Sequence, residues 1–470
     1  MSKIRNFVIP TAVSLVFSMA ASTVYAADNV YGPFPITLKD YSGDKTDSTD
    51  YTGQMARHLL HNSLKKLAGK GDGGNNKEEV KAQMMAYYAG EDEGRAIIDP
   101  KTKDNFVIEQ TEVDQISKGK NLKGKTYEGA INGWPGNMTG PEVIEFMIDK
   151  AAATDGGFDP LTGFNYPQLI SKFAMGAIFY NQAVDNYLDE KLAADNKPNN
   201  KPYTDGARYT GKEHSWDEGF GYFGAPAHAL TLDPKQVYNI AKKKDLAVAD
   251  YDGNGSVDLY REMTYAHAYY AADTDKAGTN YLHTIMQAFI DGRNLIASAK
   301  GEALTDDQRR ELVGYADVIK SNWEKVLAEA VFKYAGSVYK DLKEMQAIVD
   351  TGGDIKKAFL KYGKHWGELK GFAMALESSG KGLGATGVRI NRLIGFGPAL
   401  LGGGQVTGID GNGDYIVDGD MSMGNYMVHM LKLQKLLGEE FDLKARNNDA
   451  TEQMSGLIES LGDSLAAEND

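Results

Sequence analysis

A histidine, a tryptophan and two carboxylates stand together at His214-Ser215-Trp216-Asp217-Glu218, and a similar set returns at His365-Trp366-Gly367-Glu368. On a helix, His214 and Glu218 share a face one turn apart, as do His214 with Asp217 and His365 with Glu368. Imidazole with carboxylate suits iron, zinc or manganese, and the absence of cysteine turns the preference toward harder ions. The two copies predict either two ion sites or one site at which both converge. The same stretch also has a plainer use. Trp216, Phe220, Tyr222 and Phe223 read as a core stripe, and Gly219, Gly221 and Gly224 as points of close helix packing.

A second chemistry lies in two acidic glycine loops. Asp250-Tyr251-Asp252-Gly253-Asn254-Gly255 follows the opening positions of a calcium loop, with Ser256 and Asp258 as further oxygen donors. At the twelfth position Arg261 replaces the usual acid, and Glu262 falls one residue late. Asp410-Gly411-Asn412-Gly413-Asp414 repeats the alternating oxygens, with Asp418 or Asp420 to close. Both loops predict Ca2+ held as a structural clamp; without an ion each is a solvated Asn-Gly turn.

Other candidates are weaker. His58 and His61 alternate with leucines, which favours the core. Tyr265, Tyr269 and Tyr270 could offer phenolates to ferric iron, but their spacing also suits helix packing. The chain has no G-x-S-x-G, S-x-x-K or H-E-x-x-H, and its glycine runs lack the phosphate-loop and dinucleotide patterns. An ordinary serine hydrolase, kinase or dehydrogenase is therefore disfavoured.

These residues need elements to position them, and the apolar spacing is overwhelmingly helical. Segments 52–68, 77–89, 141–153, 167–194, 234–244, 259–298, 305–349, 354–379 and 422–438 carry apolar residues at i, i+3, i+4 and i+7. Long Gly-, Asn- and Asp-rich loops separate them, including 28–50, 100–140, 245–258 and 380–414. No run alternates with period two, so an all-α fold with little or no β-sheet is expected. Trp216-x-Glu218-x-x-Gly221-Tyr222 matches Trp366-x-Glu368-x-x-Gly371-Phe372 at an offset of 150. Ala177-Ile178-Phe179 matches Ala330-Val331-Phe332 at 153, and the acidic loops match at 158. Three landmarks in one order predict an internal duplication: two helical bundles, 27–245 and 246–470, related by a pseudo-twofold and packed as one body.

With 470 residues, 51 basic against 65 acidic side chains and a net charge of −14, the chain is long enough for a sizeable core. Its acidity argues against nucleic acid as a partner. Lys3, Arg5, an apolar stretch from Phe7 to Ala21 and Val24-Tyr25-Ala26 read as a cleavable leader over residues 1–26. Its removal would leave −16, and no later stretch is long and apolar enough to span a bilayer. A periplasmic or secreted protein is expected, and the lack of cysteine removes both disulfides and a lipidated anchor.

The motifs around His214 and His365 resemble an exported bacterial family of unknown function that looks imelysin-like, over roughly residues 30–440. That resemblance implies a periplasmic or surface-attached protein of two helical bundles, linked to bacterial iron uptake. Some imelysin-like proteins are classed as metallopeptidases on a G-x-H-x-x-E motif. Here Gly211 precedes His214 by three positions rather than two, and the acid is Asp217 or Glu218. The leading expectation is a non-enzymatic iron-binding protein using His214, Glu218, His365 and Glu368. The alternatives are a metal-dependent peptidase with Glu218 as general base, and a module that docks on an outer-membrane receptor or other envelope protein.

Overall fold

The computed structural model describes residues 29–378 and 382–462; the leader pattern lies outside them. Helix dominates, as the periodicity predicts. The chain opens with irregular segment 29–51, then α1 (Thr52–Ala68) and α2 (Lys77–Tyr88). A long loop containing β1 (Val107–Ile108) leads to α3 (Gly140–Ala153) and α4 (Tyr166–Ala174). Helix α4 continues through two π-helical segments, Met175–Tyr180 and Gln182–Tyr187. Then come α5 (Gly211–Phe223), α6 (Pro234–Ala241), β2 (Ser256–Val257), α7 (Ala266–Asp275) and α8 (Tyr281–Ser298). The last part holds α9 (Asp306–Asp350), α10 (Lys356–Glu377), α11 (Gly384–Ile394), β3 (Gln405–Ile409), β4 (Tyr415–Asp418), α12 (Met423–Glu440) and α13 (Met454–Leu461).

Helix α9 is the spine. Its 45 residues make a rod of about 68 Å, and α7, α8, α10 and α12 all pack along it. Thr305 starts it with a reciprocal cap to Gln308, and Asp306 and Asp307 complement the positive end of the helix dipole. One apolar core runs across residue 245 without interruption. The indole N–H of Trp216 donates to the Phe289 carbonyl at 2.8 Å, and α4 lies against α10.

Two local expectations are corrected. The periodic stretch 259–298 breaks into α7 and α8, because the buried Asp275 carboxylate accepts the N–H groups of Tyr281 and Leu282 and so starts a new helix. Gly278 between them stands at φ +100°, a backbone conformation that ends a helix. The stretch 380–414 is not all loop, since it carries α11 and the first strand of an antiparallel hairpin, β3–β4.

Candidate functional site

Helix α5 carries the first tryptophan motif. Thr210 caps it, with Glu213 reaching back to the Thr210 N–H. His214 and Glu218 do share a face: His214 Nε2 lies 3.8 Å from Glu218 Oε2. Glu218 Oε1 accepts from Gln54 Nε2 at 2.9 Å and from the Tyr187 hydroxyl at 3.1 Å. The His214 ring stacks on Tyr209, and burial holds its pKa below the usual histidine range against the pull of Glu218. Both side chains are largely enclosed.

Asp217 belongs elsewhere, and its assignment as a metal ligand is corrected. It is fully buried on the core side of α5. Its Oδ1 accepts from the Tyr31 hydroxyl at 2.7 Å and from Arg293 Nε at 2.9 Å, and its Oδ2 from the Asp50 N–H at 3.0 Å. Arg293, itself fully buried, also reaches Glu213 at 3.3 Å. The carboxylate that spacing offers to an ion is consumed by a structural ion-pair network.

The second motif sits on α10 and opens onto a cavity of about 510 Å³. His365 and Glu368 line it together with His61 and Lys65 of α1, Lys172 of α4, Tyr269 and Tyr270 of α7, and Tyr334 of α9. The widened π-turn at Met175 forms part of the wall, in keeping with the frequent occurrence of π-bulges at functional sites. His365 Nδ1 is 2.5 Å from Asp341 Oδ2, which leaves Nε2 as the ring nitrogen available to the cavity. Asp341 is buried and also pairs with Lys361. His214 is absent from this cavity wall. The two motifs therefore do not converge, and each brings one imidazole and one nearby carboxylate.

What the two motifs share is a packing rule. A Cβ added at Gly221 would meet the Gln54 Cβ at 2.8 Å, and Gln54 is the residue that bonds Glu218. A Cβ added at Gly371 would meet the Lys172 Cβ at 2.5 Å, and Lys172 is under the electrostatic influence of Glu368. The glycine three residues after each glutamate lets a neighbouring helix close in and bring a polar side chain toward that glutamate. Both tryptophans are fully buried. Trp366 Nε1 donates to the Tyr426 hydroxyl at 2.7 Å, where Trp216 uses a backbone carbonyl.

The first acidic loop closes as a cation loop would. Ligand oxygens of Asp250, Asp252 and Glu262 lie within 4.8 Å of one another, and oxygens sharing one calcium at about 2.4 Å can be no more than about 5 Å apart. Glu262, one residue late in the spacing, is thus the acid that arrives. Glu109 approaches too, accepting from Ser256 Oγ at 2.9 Å and Asn254 Nδ2 at 3.0 Å; the parallel bridge of β1 with β2 puts it there. Asp258 turns away, its Oδ1 taken by Gln110 Nε2 and the Tyr260 N–H.

The second acidic loop has a different setting. Residues 410–414 are the turn of the β3–β4 hairpin, in which Asp410 Oδ1 accepts the N–H groups of Asn412 and Asp414. Asp418 pairs with Gln405 at the far end of β4. At about 3.3 Å per residue the strand holds Asp418 roughly 10 Å from the turn. Asp414 faces Lys150 instead, at 3.5 Å. Asp418 therefore stands apart from Asp410, Asn412 and Asp414.

A family model described as a domain of unknown function (DUF4856) matches residues 41–382. The chain belongs to this family. Both tryptophan motifs and the first acidic loop fall inside the DUF4856 span, whereas the hairpin and α12 fall outside it. No curated protein matches the chain, and no solved structure does. No helix among the described residues is long and apolar enough to cross a membrane.

Three residues at the site escaped the spacing argument: Lys65 and Lys172 in the cavity wall, and Asp341 behind His365. Two of them carry a legible signal. Lys172 follows Leu169 by three and precedes Phe173, and Asp341 stands likewise between Val338 and Leu342, each inside an apolar stripe. A charge at a core position of an amphipathic helix is costly unless it is used.

Proposed function

We propose that this DUF4856 protein is a ligand-binding protein of the bacterial envelope rather than a hydrolase, and that the α10 cavity is its binding site. One observation carries the reading: His365 and Glu368, picked out by motif and spacing, both line one polar cavity. Asp341 orients the imidazole there, as a carboxylate behind a working histidine does. The leader pattern supports export, and the imelysin-like resemblance supports a place in iron acquisition, with an envelope receptor as partner. The metallopeptidase alternative is poorly supplied. A catalytic zinc takes about three protein ligands and an open position, and each motif contributes one histidine and one nearby acid.

The test is native mass spectrometry of the chain recovered from its own envelope fraction, beside Ala241→Trp, which fills the cavity rim. A bound mass in the wild type that is missing from the variant supports the reading. An empty wild type with chelator-sensitive peptide cleavage would reverse it.

A second role rests on Glu262. Its convergence with Asp250 and Asp252 supports Ca2+ as a clamp on the loop before α7. The His214–Glu218 pair is the remaining place for a transition ion, since Glu218 Oε2 has no hydrogen-bond partner.

A further inference from the structure

The α10 cavity has a charge opposite to that of the protein around it. The chain is at −14, yet Lys65, Lys172, Lys242, Lys333 and Lys364 line this one space, and Glu368 is the only acid among the described residues that does. Lys333 is paired with Asp273. The other four have no carboxylate within ion-pair distance among the described residues. A bare metal cation would enter against this field, so the residues that line the cavity select for the opposite sign.

Lys172 makes the case specific. It is 2% exposed, its amine is hydrogen-bonded to that of Lys65 with no carboxylate at ion-pair distance among the described residues, and it lies 5.3 Å from the Tyr270 ring. A side chain needed only to fill space would be Met or Leu, because burying an ammonium without a counter-charge is expensive. The close approach permitted at Gly371 fixes its stem between α4 and α10. Burial first, and then the neighbouring charge of Lys65, push its pKa well down. An anion held by the two amines offsets both penalties, so the cavity favours one.

We propose that the cavity is an oxyanion site, binding a small phosphate- or carboxylate-bearing molecule at the adjoining Lys65 and Lys172 amines, with its remainder against Tyr269, Tyr270 and Tyr334. The proposal rests on the reading of this cavity as the ligand site and adds the chemistry of the ligand. His365 Nε2 supplies a further hydrogen-bonding group at the rim. At about 510 Å³ the space exceeds what a lone phosphate fills and lies within the usual range for small-molecule sites.

The experiment is isothermal titration calorimetry of the full chain at low salt, with inorganic phosphate and citrate as separate probes. Saturable binding of either probe is expected, weakened at least about tenfold in Lys65→Met/Lys172→Met. The probe that binds tells a phosphate ligand from a polycarboxylate. Lys343→Met, an exposed lysine outside the cavity, should leave the affinity unchanged. Thermal unfolding of the double variant at or above the wild-type midpoint would show that it folds, since it removes buried charge. Failure of both probes to bind at about 10 mM, or equal affinity in the double variant, overturns the proposal. A neutral or cationic ligand recovered with the wild type and lost in Ala241→Trp would also overturn it, while leaving the binding-protein reading intact.

Discussion

Replacing Arg293 with methionine should be among the most damaging single changes that leave the cavity untouched. Arg293 is fully buried on α8. Its Nε bonds Asp217 at 2.9 Å, its Nη1 reaches Glu213 at 3.3 Å, and its Nη2 bonds Ser48 at 2.7 Å. Two carboxylates hold the guanidinium firmly protonated, above the usual arginine range. Methionine fills much of the space but leaves two buried acids facing each other without a cation. Breaking a buried pair from one side costs about 3–5 kcal/mol, and two orphaned acids place Arg293→Met near the top, at about 5 kcal/mol. The assay is urea unfolding followed by circular dichroism, with the midpoint shift read at constant slope. Asp217→Asn in the same background should recover part of the loss, giving a non-additive cycle. Asp217→Asn alone should leave the metal content of the protein unchanged. A loss under about 1 kcal/mol for Arg293→Met, or strict additivity, would refute the view that this network holds α5 to α8.

Two further outcomes follow from the acidic loop and from two buried histidines. Calcium at about 100 times its dissociation constant should stabilise the chain by about 2–3 kcal/mol in thermal unfolding, reversibly with chelator. Asp252→Asn should abolish most of that gain, and an equal shift in the variant would remove the ion from this loop. Burial holds His61 down to about 4 and His58 down to about 3. Both are therefore neutral when folded, whereas the unfolded chain takes up their protons near pH 6.5. Their contribution to stability is complete above about pH 6.5 and is lost as pH falls toward 4, by about 3 kcal/mol for each. His58→Gln/His61→Gln should flatten that acid slope in urea titrations between pH 7 and 4.5; parallel slopes would show that the histidines are not its source.

The helices were readable because burial on one face imposes a period, and the apolar positions of 52–68, 141–153 and 305–349 reproduce α1, α3 and α9 within a residue or two. The failures have local causes that periodicity does not register. Asp275 ends one helix and begins another by accepting two N–H groups, although its spacing continues an unbroken stripe. The β3–β4 hairpin was hidden because its residues mix glycine with exposed Ile416 and Val417, so no alternation marks a buried face. The two acidic loops look alike in sequence because Asp-Gly-Asn-Gly serves a hairpin turn as well as a cation loop. Only the flanking strands, set by pairing partners distant from the loop itself, tell the two apart.

Spacing found two residues that line one cavity but did not show what else lines it. Reading His365 and Glu368 as two ligands of an ion treats α10 as if it faced water. In the fold it faces α1, α4, α7 and α9, of which α1, α4 and α9 bring Lys65, Lys172 and Lys333. The sign of the cavity is thus largely a property of neighbours contributed from across the chain, from Lys65 to Lys333, and no local motif contains it. The signal that was present is the misplaced charge: Lys172 interrupts the stripe of α4, and Asp341 interrupts that of α9. Each costs stability where an apolar residue would add it. Asp341 is answered by His365 and Lys361. Lys172 has the Lys65 amine beside it and no carboxylate at ion-pair distance among the described residues, and two buried amines side by side are where an anion from outside the chain would be held.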